Sequence, residues 1–216
     1  MGNFDRKIEK FIDVFLNQNG YVRVLEGLQN TLIIAVAGLI IGTLIGTLIA
    51  SVRVMPKYKR LPKVLNSFCS FYVGLFRGTP IVVQLLVFYY VLLPLMGLKM
   101  TGVEVSVLVF GLNSGAYISE IMRAGIQSVD PGQMEAGRAV GLSFTTTMMK
   151  IVLPQAIKNI LPAIGNECIA LLKETSVAGY VAIVDLTKAA TNIRNTTFDA
   201  VNPLIALALV YLFLVV

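Results

Sequence analysis

Four polar side chains interrupt long apolar segments of this sequence and are its best candidates for chemistry. Asn113 and Tyr117 are spaced i, i+4, which places both on one face of a helix. Asn166 and Glu167 are adjacent in a second apolar segment. Amides, a phenol hydroxyl and a carboxylate bind polar solutes through hydrogen bonds and charge. We therefore predict these four as substrate-binding residues along a path through an apolar environment.

The same residues have structural explanations that the sequence leaves open. Asn113 and Asn166 suit hydrogen bonds between neighbouring helices. Glu167 suits an internal ion pair, but Lys158 is nine residues away, which is ~13 Å along a helix and on its opposite side. A carboxylate within a membrane is costly unless it has a partner or water. For Glu167 the candidates are a residue of another span, a residue of a second subunit, a water-filled cavity and a cationic ligand.

Catalysis and metal binding are not indicated. The sequence has no His, which removes the commonest general base and metal ligand. Its two cysteines, Cys69 and Cys168, stand in apolar surroundings and cannot form a tetrahedral zinc site without His partners. We therefore predict no catalytic residues, no metal ligands and no cofactor on this chain.

Composition places the candidate residues in a membrane. Apolar residues make up 56% of the 216 and charged residues 14%, against roughly 45–50% and about 25% in soluble domains. These values exclude a disordered chain, a nucleic-acid module and an ordinary soluble enzyme. The net charge of +6 fits the excess of Lys and Arg in cytoplasmic loops. We predict one all-α integral membrane domain over residues 1–216.

Charged positions divide the sequence into five predicted transmembrane helices. The second segment has 35 residues with a single charge, Arg77, and is too long for one straight span. We expect one span that is bent or broken at Arg77-Gly78-Thr79-Pro80, with Arg77 either near the interface or paired with Glu120. The five segments are Gly27–Val52, Val64–Leu98, Val105–Ser119, Ile151–Leu172 and Ala200–Val216.

Loop charges predict the orientation. Five basic residues and no acid stand in the stretch Arg53–Lys63, which places this loop in the cytoplasm. The amino terminus is then outside and the carboxyl terminus inside, with Lys99–Glu104 and Asp185–Asp199 as outer segments. Residues 1–23 combine charged and apolar side chains at helical spacing, and we predict an amphipathic lead-in helix on the membrane surface.

A short helix is predicted in the cytoplasmic loop between the third and fourth spans. Asp130 is a suitable N-cap, Pro131 suits the first helical position, and Gln133 completes a capping-box arrangement. Gly141 is a suitable residue just beyond the helix end, so the helix covers residues 130–141. Its small and apolar side chains with charged flanks form a surface for docking another protein.

The spacing in this loop resembles a signature of importer permeases. Glu135-Ala136-Gly137, Gly141 and Ile151–Pro154 match the pattern E-A-A-x3-G-x9-I-x-L-P of permease subunits of ABC importers, with Gly137 replacing the second alanine. Other motifs look like the polar amino-acid permease family, which serves histidine, glutamine, glutamate, arginine and lysine. These motifs are Phe76-Arg77-Gly78-Thr79-Pro80 with Gln84, the segment Ala116–Ile126, Leu153-Pro154-Gln155-Ala156, and Leu172-Lys173-Glu174-Thr175-Ser176.

The resemblance implies several partners and a prokaryotic cell membrane as the location. Segment 130–141 is implied to be a coupling helix that docks a separate ABC ATPase subunit. That partner binds ATP and Mg²⁺, since this chain has no P-loop sequence. A second permease subunit completes the pore, for which we favour a homodimer, and an extracytoplasmic solute-binding protein delivers substrate. The implied coupling residues are Glu135, Ala136, Gly137, Gly141, Leu153 and Pro154.

The expected function is thus the permease subunit of an ATP-driven amino-acid importer. We favour basic substrates, arginine or lysine, with Glu167 holding the side-chain cation and Asn113, Tyr117 and Asn166 contacting polar groups. Glutamine or histidine is the alternative substrate. A stand-alone channel or secondary transporter is a competing class, but inverted-repeat carriers need two similar halves and we find none in five spans. No nucleic-acid partner is expected.

Overall fold

The computed structural model describes residues 3–56 and 60–216, and within these ranges the chain is helical without β-strands. Long apolar segments favour helices because a helix satisfies its own backbone hydrogen bonds without water. The helices are α1 (Asn3–Ile12), α2 (Gly20–Val54), α3 (Arg60–Gly78), α4 (Ile81–Val87), α5 (Leu93–Leu95), α6 (Gly102–Gln127), α7 (Pro131–Ala139), α8 (Phe144–Thr147), α9 (Leu153–Glu174), α10 (Leu186–Thr197) and α11 (Val201–Val215).

Short segments of other helical geometry connect several of these helices. They are π-helical at Asp13–Asn17, Phe88–Leu92 and Met148–Val152, and 3-10 helical at Thr175–Val181.

The predicted lead-in helix over residues 1–23 is divided. Its first part, α1 with the π-helical turn, ends at Asn17, and residues 20–23 already belong to α2. Asn19 causes the interruption because its φ of 57° lies outside the right-handed helical region. Residues 1 and 2 of this prediction lie outside the described ranges.

Two helices, α2 and α6, are long and apolar enough to cross a membrane. A third span is present if α3 and the helical stretch Ile81–Leu95, a sharply bent pair, form one crossing. The break falls at Thr79-Pro80, as the sequence predicts, because proline cannot donate the backbone hydrogen bond that a continuing helix needs. Five spans and the orientation remain predictions, and Lys57 and Lys59 of the basic loop lie outside the described residues.

The chain divides into two compact units. Unit 1 contains Met1–Gly38, Ile81–Phe110 and Ile169–Val216, and unit 2 contains Leu39–Pro80 and Gly111–Cys168. Helices α2, α6 and α9 each contribute residues to both units.

Unit 2 is built on the close approach of α2 and α6. A Cβ at Gly42 would lie 2.7 Å from the Ser114 side chain, and one at Gly46 would lie 2.8 Å from Ile118. A Cβ at Gly115 of α6 would lie 2.8 Å from the Ile45 side chain of α2. Small residues on both helices therefore allow the backbones to approach, as is common in membrane-spanning helices.

Unit 1 places Asp185 at the start of α10. Its Oδ1 accepts a hydrogen bond from the Lys188 backbone N–H at 2.7 Å and caps the helix. Asn30 of α2 donates to the Val184 carbonyl at 2.9 Å, which fixes the same loop to the first helix. Burial raises the pKa of the Asp185 carboxyl to about 6, because removal from water disfavours the charged form.

Candidate functional site

The predicted substrate residues Asn113 and Tyr117 lie in the part of α6 that belongs to unit 2. Asn113 is buried, and its Nδ2 donates a hydrogen bond to the Phe76 carbonyl at 3.2 Å. The guanidinium carbon of Arg77 lies 5.2 Å from the centre of the Tyr117 ring, within the range of a cation–π contact. Both residues therefore contact the end of α3, immediately before the break at Thr79-Pro80.

One helical turn further along α6, Glu120 joins three arginines from three helices. Arg53, near the end of α2, donates to Oε1, and Arg123 donates to Oε2 through Nε at 3.0 Å and Nη2 at 2.7 Å. Arg77 is more distant, with Nη1 3.9 Å from Oε2. We call these four side chains the Glu120 cluster. Its formal charge is +2, from three guanidiniums and one carboxylate.

The second pair of predicted substrate residues lies in α9, also within unit 2. Asn166 is exposed and Glu167 is half-buried. Pro162 stands inside this helix, where the missing N–H leaves a backbone carbonyl without its usual partner. Asn159, on the same helix, donates to Ser128 Oγ at 2.8 Å, so its amide connects α9 to the segment after α6.

Helix α7 occupies the predicted cytoplasmic segment and is capped at both ends. Asp130 accepts a hydrogen bond from the Gly132 N–H at 2.8 Å. Gly141 has a φ of +86°, and its N–H donates to the Arg138 carbonyl at 3.0 Å, which ends the helix as glycine does at this position. The predicted capping box does not form, because the Asp130 side chain bonds the N–H of Gly132 rather than that of Gln133, and the Gln133 side chain accepts a hydrogen bond from Gln155 Nε2.

The two faces of α7 differ. Glu135, Ala136 and Val140 are exposed, with 76% of Val140 accessible. Gly137 is buried against α8, where an added Cβ would lie 2.8 Å from Thr147 Oγ1. Gly137 therefore serves the attachment of α7 to α8, and the exposed side chains form the surface that another protein can contact.

An apolar cluster connects the α7 segment to α9. Its buried members are Val129, Val152, Ala156 and Ile160, and Met134 of α7 packs against them. Leu153 is half-buried and Pro154 is exposed at the start of α9. The α7 segment thus packs directly against the first half of α9, the helix that carries Asn166 and Glu167.

Comparison with known families identifies the chain. Residues 38–216 match the family described as "Binding-protein-dependent transport system inner membrane component". The chain belongs to this family. It is a permease subunit of an amino-acid ABC importer and is not itself an enzyme, because ATP hydrolysis in such importers takes place on a separate partner chain. Membership also implies an extracytoplasmic substrate-binding protein and a location in a prokaryotic inner membrane.

Relatives of this permease carry names for several amino-acid substrates. It is 39% identical over 192 residues to a putative glutamine transport system permease protein of Rickettsia bellii (strain RML369-C), covering 89% of this chain and 86% of that protein. It is 38% identical over 192 residues to the arginine transport system permease protein of Bacillus subtilis (strain 168), covering 89% and 85%.

A solved structure of an amino acid ABC transporter with histidines contains a similar chain. The TM-score is 0.83 at 38% sequence identity, with 93% of this permease and 92% of that chain covered. This similarity confirms the membrane permease fold.

Part of the Glu120 cluster is predictable from the sequence. A pair between Arg77 and Glu120 is one of the two predicted positions of Arg77, and the structure shows it as the longest of the three contacts. Arg123 could have been found, because it is three residues from Glu120 and shares its helix face. The contact between Arg53 and Glu120 could not be predicted from the sequence, because 67 residues separate the two.

Proposed function

We propose that this permease imports basic amino acids and that Glu167 binds the side-chain cation of the substrate. The supporting observation is the position of Glu167, half-buried in α9. It follows Asn159, which bonds Ser128 just beyond the predicted cytoplasmic end of α6, by eight residues, which is ~12 Å along a helix and lies within the predicted span. A carboxylate within a span favours cationic neighbours, so the ammonium of lysine or the guanidinium of arginine can join the interaction that Glu167 already makes within the protein.

In this proposal the remaining predicted residues contact polar groups of the substrate. Tyr117 and Asn166 are partly or fully accessible, so both can reach a ligand without rearrangement. Asn113 is buried and bonded to the Phe76 carbonyl, so it contributes by fixing the chain beside the path unless its amide moves. The arginine permease of Bacillus subtilis supports a basic substrate for this chain.

A glutamine or histidine importer is the second candidate. The rickettsial relative named for glutamine and the transporter structure with histidines favour it. A neutral amide is recognised by hydrogen bonds, which asparagine and tyrosine side chains provide as well as a carboxylate does. Discrimination between the candidates therefore depends on the charge of Glu167.

The test is uptake into vesicles that contain the permease, its ATPase and its binding protein, with Glu167→Gln. We expect arginine and lysine uptake to fall by at least about tenfold, the effect of losing ~1.4 kcal/mol. Glu167→Asp keeps the charge and is the matched variant, from which we expect a smaller loss. Unchanged uptake of arginine and lysine in Glu167→Gln would contradict the charge argument, and a loss confined to glutamine would favour the second candidate.

We also propose that α7 is the coupling helix and that its exposed face contacts the ATPase. Glu135→Lys and Val140→Asp change only accessible side chains, so we expect weaker ATPase association with an intact permease. Association is measured by co-purification and by the ratio of hydrolysed ATP to transported substrate. If both variants bind the ATPase and transport as the unchanged protein does, α7 is not the contact.

The same proposal includes a homodimeric pore with the amino terminus outside. A cysteine at Arg60 should be shielded from impermeant thiol reagents in intact cells, whereas cysteines at Lys99 and Asn195 should be labelled. All three positions are exposed in the structure, so differences in labelling report the side of the membrane. The reverse pattern would overturn the orientation, and cross-linking of two differently tagged copies checks the homodimer.

A further inference from the structure

Arg77 differs from the other two arginines of the Glu120 cluster. Its side chain is 44% exposed, compared with 15% for Arg53 and 31% for Arg123. At 3.9 Å, its contact with Glu120 is too long for a hydrogen bond. Among residues 3–56 and 60–216, the Arg77 guanidinium donates no hydrogen bond, although it can offer five N–H donors.

The charge of the cluster also points to a missing anion. The closest contacts of Glu120 are made by Arg53 and Arg123, which leaves Arg77 as the accessible part of a group with formal charge +2. Arg53 and Glu120 lie at the predicted cytoplasmic ends of their spans, and excess positive charge at an accessible position there attracts anions. Arg77 stands on Tyr117, one of the predicted substrate residues, so its guanidinium is adjacent to the proposed path.

We propose that Arg77 binds the α-carboxylate of the transported amino acid. A guanidinium matches a carboxylate through two parallel N–H···O hydrogen bonds, and the Tyr117 ring holds the guanidinium plane in place. This inference rests on the proposed function as an amino-acid permease, but not on which amino acid is carried, because every amino acid has the α-carboxylate. Arg77 then selects the class of substrate, and Glu167 selects among its members.

The test is equilibrium binding to the permease–ATPase complex in nanodiscs without the solute-binding protein, so that only the permease discriminates. The probes are L-arginine and L-glutamine, each compared with its carboxamide, argininamide or glutaminamide, which lacks the negative charge. We expect the unchanged complex to bind an acid at least about tenfold more tightly than its amide, which is ~1.4 kcal/mol. In Arg77→Gln we expect the acid to lose that preference and the amide to bind as before.

Two further variants separate recognition from structure. Arg77→Lys keeps the charge but not the paired donors, so we expect an intermediate preference. Arg60→Gln, at the exposed first residue of the same helix α3, is the matched control and should leave the preference unchanged. A purely structural role for Arg77 predicts equal weakening of acid and amide, which would overturn the proposal.

The remaining outcomes are equally decisive. If the unchanged complex binds acid and amide equally, Arg77 does not bind the α-carboxylate and this inference is wrong. The proposal of an amino-acid permease is unaffected by that result. If the unchanged complex binds neither arginine nor glutamine nor their amides, the proposed substrate class fails and this inference fails with it. If the Arg77→Gln effect appears in phosphatidylglycerol nanodiscs and is absent in phosphatidylcholine nanodiscs, the guanidinium serves a lipid phosphate and the carboxylate assignment is wrong.

Discussion

Glu120 in unit 2 and Asp185 in unit 1 are carboxyl groups largely removed from solvent, and each unit stabilises its carboxyl differently. Glu120 faces guanidiniums from three helices. Asp185 has 0% exposure and is held by one short hydrogen bond, from the Lys188 backbone N–H. Burial raises its pKa to about 6. In unit 2 the negative charge of Glu120 therefore stabilises the structure by pairing with arginines. In unit 1 Asp185 contributes only an oxygen that accepts a hydrogen bond and caps a helix.

The largest effect that this contrast predicts comes from Glu120→Gln. The substitution leaves Arg53 and Arg123 close together without the carboxylate between them. Removing one partner of a buried ion pair costs about 3–5 kcal/mol, and the Arg53 and Glu120 side chains are 15% and 16% exposed. We expect a loss of this order in the free energy of unfolding, measured by reversible denaturation in mixed micelles.

Arg77→Gln is the matched control for Glu120→Gln. It removes the 3.9 Å contact of a 44% exposed side chain and the cation–π contact with Tyr117, so we expect a change within about 1 kcal/mol. A Glu120→Gln variant that is as stable as the unchanged protein would show that unit 2 does not depend on this charge. The contrast with Asp185 would then disappear.

Local and long-range features of the two units were predictable to different degrees. The break at Thr79-Pro80 and the capped helix α7 follow from the backbone restrictions of proline, glycine and Asp130, which act over a few residues. The Gln133–Gln155 hydrogen bond joins residues 22 apart, and Arg53 and Glu120 are 67 apart. Such contacts depend on how helices pack, so a single sequence carries no pattern for them.

Gly137 is a residue of the candidate site whose packing partner the sequence does not reveal. The sequence places it on the docking face of α7, because its position in the permease signature is one of the small residues. The structure buries it against Thr147 of α8. The periodicity of a helix shows which residues share a face, but not which face a neighbouring element covers.

The second prediction concerns how the stability contributed by Asp185 depends on pH. The pKa of Asp185 rises from 3.8 to about 6 on folding, so the folded protein binds this proton more tightly than the unfolded chain. Stability from this group is therefore complete below about pH 4 and is lost as the pH rises from about 4 to above 6. A shift of this size corresponds to at most about 3 kcal/mol.

The matched variant for this pH effect is Asp185→Asn, which keeps the capping oxygen and cannot ionise. We expect the stability of the unchanged protein relative to Asp185→Asn to decrease between pH 4 and pH 7, so that the variant is favoured at neutral pH. Comparing the two proteins removes the effect of all other titrating groups. A constant difference across this range would show that the carboxyl ionises without cost, as an exposed one does.

The smallest expected effect isolates the cap itself. Well below pH 3.8 the Asp185 carboxyl is protonated in both the folded and the unfolded chain, and there we expect Asp185→Asn to match the unchanged protein because asparagine is an equally good N-cap. Asp185→Ala removes the oxygen that accepts from the Lys188 N–H, and loss of an N-cap side chain costs about 1 kcal/mol. Denaturation of the two variants at the same pH should therefore differ by about that amount. Equal stability of the alanine and asparagine variants would mean that the hydrogen bond contributes nothing and that Asp185 is held by burial alone.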